Sequence, residues 1–176
     1  MRIFTRLALL GGILSALLLV VGSMGLYGLG VTNQALRTVH EDRTVPAGQL
    51  GEISSKLISN QLALSAALIT PTPEVISAST ATVDANIAAI SKLWSAYTAI
   101  KLSDEEQRLA KAFVEDRQKF EEGLQPALAA LRANDVIEGQ NILVNKIPPL
   151  YATIKKGIDA LSQLQVEGAK REFNDA

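Results

Sequence analysis

The densest group of chemically capable side chains is His40-Glu41-Asp42-Arg43, where an imidazole, two carboxylates and a guanidinium stand in a row. Residues of these types can ligate a metal or move a proton. His40, however, is the only histidine in 176 residues, and cysteine is absent. One imidazole is too few for a histidine metal cage or a di-iron Glu-x-x-His pair. Without cysteine there is no disulfide framework, thiolate zinc or iron–sulfur site, cysteine nucleophile or c-type haem attachment. The four residues read as a solvated collar, and neither a cofactor nor an enzymatic activity is expected. Lys+Arg is 17 against Asp+Glu 18, a balance that leaves no basic footprint for nucleic acid.

A quieter pattern lies a little further on. At about 100° per residue, Leu50, Ile53, Leu57, Leu64 and Leu68 form one apolar stripe of a helix, and Ile58, Leu62 and Ile69 form a second, roughly 120° away. One stripe suffices for a core-facing helix. The second predicts another burial partner, the same helix of a twin subunit, so Ile58, Leu62 and Ile69 are the candidate dimer interface. Ser54, Gln61 and Ser65 lie between the stripes. Small effectors bind in mostly apolar sites with a few placed polar groups, which makes these three the candidate ligand contacts. A serine at a helix contact can also be there because it is small enough to pack, and the residue types leave both readings open.

The remaining punctuation cuts the chain into helices. Pro71-Thr72-Pro73 breaks it. Ser103 followed by Glu106 three residues on is a capping box, and Asn134-Asp135 is a turn signal. The predicted helices are 31–70, 74–99, 104–133 and 135–174. The second carries Ile76, Thr80, Val83, Ile87, Ile90, Trp94 and Tyr97, spaced by alternating fours and threes. The third carries Ala110, Phe113, Arg117, Phe120, Leu124, Ala127 and Leu131, and the fourth Val144, Ile147, Tyr151, Ile154, Ile158, Leu161, Gln165 and Gly168. A period near 3.5 with short connections predicts an all-α, antiparallel up-down-up-down four-helix bundle. Arg117, on a seam, either snorkels or pairs with Glu121. The run Asp104–Glu122 reads as a solvated face with pairs Asp104–Arg108, Lys111–Glu115 and Glu115–Lys119. Pro148-Pro149 must either kink the last helix or start a fresh one, and Gly123 and Pro126 disturb the third.

Upstream, residues 1–6 form a short basic tail. Leu7–Leu29 is a run of 23 residues without an ionisable side chain other than Tyr27, about 34 Å as a helix against a hydrocarbon core of about 30 Å. It predicts a transmembrane helix; a cleaved signal peptide is the rival reading, but its apolar region is ordinarily only about 7–15 residues. Arg2 and Arg6 place the N-terminus in the cytoplasm, although Arg37 and Arg43 weaken that vote. Residues 31–176 are then a periplasmic domain anchored in a bacterial inner membrane. Gly11-x-x-x-Ser15 and Gly12-x-x-x-Ala16 would permit close pairing of two anchors.

In order and spacing these elements resemble the periplasmic ligand-binding bundle of methyl-accepting chemotaxis receptors, the aspartate receptor's relatives. The resemblance rests on Ala35-Leu36-Arg37-Thr38-Val39-His40-Glu41-Asp42-Arg43-Thr44-Val45-Pro46 with Gln49-Leu50, and on Ala85-Asn86-Ile87-Ala88-Ala89-Ile90 leading to Leu93-Trp94. Leu124-Gln125-Pro126-Ala127-Leu128 and Pro149-Leu150-Tyr151 complete it. It implies a homodimer that binds a small effector and shifts its last helix relative to its first. Two departures stand out. The sequence reaches Lys170-Arg171-Glu172-Phe173-Asn174-Asp175-Ala176 where the resemblance would place a second membrane helix, so a fragment or a standalone sensory piece is expected. No arginine lies between Arg43 and Arg108; Gln61, Ala66 and Thr70 stand where the aspartate receptor holds carboxylates with arginines, and aspartate is not an expected ligand. The same bundle could serve a sensor kinase or a cyclic-nucleotide enzyme, or be a non-sensory envelope protein.

Overall fold

A computed structural model describes residues 19–24, which are helical, and 45–174. The predicted anchor outside 19–24, residues 31–44 of the predicted first helix and His40-Glu41-Asp42-Arg43 lie outside the described residues. No helix among the described residues is long and apolar enough to cross a membrane.

Five helices follow one another from Val45 onward: α1 (Val45–Ile69), α2 (Pro73–Thr98), α3 (Asp104–Arg132), α4 (Val136–Asn145) and α5 (Ile147–Asn174). Their ends are chemically marked. Thr72 caps α2 by accepting from Val75 N–H, with Pro73 opening the helix where its missing N–H costs nothing. Ser103 and Glu106 form the reciprocal capping box of α3. The far end of α3 closes in a Schellman motif. Asp135 N–H reaches Ala130 O and Asn134 N–H reaches Leu131 O, with Asn134 in the left-handed region at φ 60°. Asp135 then turns and caps α4, accepting from Glu138 N–H at 3.1 Å.

The two open questions about proline resolve differently. Pro126 sits inside α3, exposed, and the helix runs on through it. Pro148-Pro149 start a fresh helix: α4 ends at Asn145 and α5 begins at Ile147, so both prolines occupy a first turn, where no intrahelical donor is required. The fourth predicted helix is therefore two. The restart also changes the helical phase, and Val144, expected on the seam, is 56% exposed. Within α4 it is Gly139 and Ile142 that are buried.

Cross-helix contacts give the directions. Asp84 meets Arg132 and Ser91 meets Arg117, so α2 and α3 are antiparallel. The three-residue connection after Ile69 and the meeting of Asn60 with Asn86, well away from that connection on both helices, fold α2 back against α1. Gly139 lies on Leu131, Gly123 on Leu150 and Gly157 on Phe113, so α4 and α5 descend in turn along α3. The result is an all-helical bundle with four long helices, α4 serving as the extra turn that brings the chain onto α5. Its core runs from Leu50, Ile53 and Leu57 through Val83, Ile90 and Leu124 to Ile154, Ile158 and Leu161. Trp94 links Tyr97 and Phe113 at ring separations of 5.4 and 4.4 Å.

Candidate functional site

Helix α1 positions the candidate residues. Its buried seam is Leu50, Ile53, Leu57, Asn60, Leu64 and Ala67, alternating threes and fours, with Leu68 only half-buried at its margin. On the outer side Ile58, Leu62 and Ile69 are 46%, 67% and 81% exposed. Ser54 is half-buried, while Gln61 and Ser65 are exposed. The three polar residues thus follow one strip of α1 beside the outer apolar residues.

Elsewhere polar side chains sit within the bundle. Asn86 Nδ2 donates to Asn60 Oδ1 at 2.8 Å and to Ser59 Oγ at 3.1 Å. Arg117, on the seam of α3, pairs with Glu121 as the spacing predicts, Nε to Oε1 at 2.6 Å, and its Nη2 donates to Ser91 Oγ at 2.5 Å. At the end where α2 meets α3, Glu106 is buried. Its Oε2 accepts from the Ser103 N–H and hydroxyl, both at 2.7 Å, and its Oε1 accepts from Gln165 Nε2 of α5. Gln165 also reaches the Tyr97 hydroxyl at 3.4 Å. The capping box is legible in the sequence; its tie to α5 is not, because a seam glutamine carries no signal of its partner.

At the opposite end a groove of about 400 Å³ opens between α2 and α3, with Ile76, Thr80 and Leu131 at its base and the Asp84–Arg132 ion pair, 2.5 Å, on its rim. The charged face of α3 uses different pairs from those expected. Arg108 meets Glu105 and Lys119 meets Asp116, each at three rather than four residues. The guanidinium of Arg108 holds the Glu105 carboxyl below its ordinary range. On α5, burial pushes the Tyr151 phenol above its ordinary value; Lys155 opposes this and Asp159 adds to it. The hydrogen bond to Asp159 raises Lys155 in turn. Among the described residues no group of three or more acidic, histidine or cysteine side chains could hold a metal ion.

An all-helical bundle with polar residues pinned across its seams, and an uncharged polar strip on the outer side of its first described helix, has the form of a ligand-binding or interaction module. A family model described as the Tar ligand binding domain homologue matches residues 1–169, and the chain belongs to that family of chemoreceptor ligand-binding domains. It is similar to the methyl-accepting chemotaxis protein NahY of Pseudomonas putida, 28% identical over 176 residues. That alignment takes in 98% of this chain and 32% of the relative, so the chain spans about a third of the relative's length. No solved structure matches it.

Proposed function

We propose that this chain is the membrane-anchored sensory domain of a chemoreceptor, with residues 1–6 in the cytoplasm, 7–29 crossing the inner membrane and the bundle in the periplasm. There it binds a small effector without transforming it, as a homodimer. The family match across nearly the whole chain carries this reading. The dimer forms through Ile58, Leu62 and Ile69, and Ser54, Gln61 and Ser65 contact the effector where that seam meets the bundle. The exposures of the three apolar residues leave about two side chains' worth of burial, roughly 3–6 kcal/mol per subunit at ~1.5–3 each. Association costs an estimated ~4–15 kcal/mol, so the dimer is weak in solution and is strengthened when two anchors confine both copies to one membrane.

The test is sedimentation of the chain carrying Ile58→Lys and Leu62→Lys. It becomes monomeric with its helical circular dichroism intact; an unchanged dimer places the interface elsewhere. Gln61→Ala leaves the dimer alone and weakens effector binding. L-aspartate gives no thermal shift, because Gln61, Ala66 and Thr70 offer no guanidinium to its carboxylates.

A further inference from the structure

Asn60 is 2% exposed, and its side chain is only half satisfied: Oδ1 accepts from Asn86, but Nδ2 has no hydrogen-bond partner in the protein. A buried amide donor left unmatched is costly, and buried polar groups are paired with protein or with ordered water in almost all native structures. Asn60 borders a cavity between the helices whose room for a water centre is about 10 Å³. That is about the lower limit for one water molecule, and it is too small for any organic ligand. Most of its wall is apolar, with Phe113, Phe120 and Ile154 among the lining residues, and such a cavity alone would stay dry. Two further residues on the wall change this: Glu121 and Arg117, already joined to each other and, through Arg117, to Ser91.

We infer that this cavity is a binding site for a single structural water, which accepts from Asn60 Nδ2–H and donates to the Glu121 carboxylate. The water closes a ring across three helices. From Asn86 on α2 the ring passes to Asn60 on α1, through the water to Glu121 and Arg117 on α3, and back to Ser91 on α2. Three of its links are direct hydrogen bonds of 2.8, 2.6 and 2.5 Å. Helix α5 contributes only the aliphatic Ile154 at this level, so the ring fixes α1, α2 and α3 in register without holding α5.

The experiment uses the full chain in detergent micelles with asparagine side-chain amides isotopically labelled, and records water-to-amide Overhauser transfer. A long-lived cross-peak to the Asn60 Nδ2 protons is expected. It is lost, together with water transfer to Ile87 and Ile154 methyls, when Asn60→Leu and Asn86→Leu are combined to remove the polar pair while keeping the volume. A folded parent without a bound-water signal at Asn60 overturns the inference. So does water transfer to the two isoleucines that persists in the double variant. Should the double variant fail to fold, the parent signal decides alone.

Discussion

Two glycines at helix contacts, half-buried Gly123 on α3 and buried Gly139 on α4, should respond differently to alanine, and the structure says how. A Cβ on Gly123 would come within 2.7 Å of Leu150 Cδ1, and one on Gly139 within 2.8 Å of Leu131 Cδ2 and 3.0 Å of Leu131 Cγ. The distances are nearly equal, but the neighbours are not. Leu150 is half-buried and offends with one terminal methyl, so a rotamer change relieves it at about 0.5–1.5 kcal/mol. Leu131 is fully buried at the α3–α4 corner and offends with its branch point, so the side-chain stem or the α4 backbone must move. Overpacking of that kind costs about 1–3 kcal/mol. Alanine returns about 1 kcal/mol of helix propensity at either position. Gly123→Ala should therefore fall within about 0.5 kcal/mol of the parent, whereas Gly139→Ala should lose about 1 kcal/mol, and at most about 2. At about 3–5 °C per kcal/mol for a bundle of this size, the second variant melts roughly 3–5 °C lower, and at most about 10 °C lower. Thermal melts followed at 222 nm, with urea midpoints as a check on the slope, measure both. A Gly139→Ala protein as stable as the parent, or a Gly123→Ala protein less stable than Gly139→Ala, would refute the reasoning.

Ser103→Ala removes the α3 cap and one of the donors to buried Glu106; a loss of about 1–2 kcal/mol is expected, read as a lower urea midpoint at unchanged slope. The Tyr151 phenol is held above its ordinary value of 10.0, chiefly by burial. A raised acid of this kind stabilises the fold fully below the unfolded value and stops doing so as pH rises through the folded one. The parent should thus lose more stability than Tyr151→Phe between pH 9.5 and 11 (about the range in which a tyrosine titrates), and parallel melts with ultraviolet titration of the phenolate check this. The Asp84–Arg132 pair is 53% and 42% exposed, so a double-mutant cycle with Asp84→Asn and Arg132→Gln should give a coupling of about 1 kcal/mol or less; a coupling above about 2 would contradict its solvent screening.

Much of the bundle could be read from residue spacing, because each long helix buries one face and the seam repeats by threes and fours. Thr80, Val83, Ile90, Trp94 and Tyr97 are buried on α2, and Phe113, Phe120, Leu124 and Leu131 on α3. Spacing fails where the phase is reset or where the seam residue is polar. The phase resets at Lys146, which strands Val144 on the surface while Ile147 goes inside. Asn60 and Ala67 complete the α1 seam, but an apolar count passes over the first and chooses Leu68 before the second. Partners of polar groups are less legible still. A helix-local pair such as Arg117–Glu121 follows from spacing, whereas Asn60–Asn86 and Glu106–Gln165 depend on which helices face each other. The strip of Ser54, Gln61 and Ser65 follows from helical angle alone; an amide and two hydroxyls suit many effectors, so the residue types name no ligand.

The bundle holds its two halves by different physics. Helices α1 and α2 are joined by the directional bonds of Asn86 to Asn60 and Ser59. These are lost within a few tenths of an ångström of sliding or on small changes of angle. Helix α3 meets α4 and α5 through glycines instead, with Gly123, Gly139 and Gly157 lying against Leu150, Leu131 and Phe113. Close backbone approach gives extensive dispersion contact, and side chains interdigitated at native density lock that contact in place sterically rather than by bond direction. Helix α5 is held along its length by the buried Ile147, Ile154, Ile158 and Leu161, and near one end also by the polar contact of Gln165 with Glu106. The helices that carry the outer α1 strip are thus registered by hydrogen bonds across the α1–α2 seam, whereas α5 is registered by apolar packing along α3 with one polar tie near its C-terminal end.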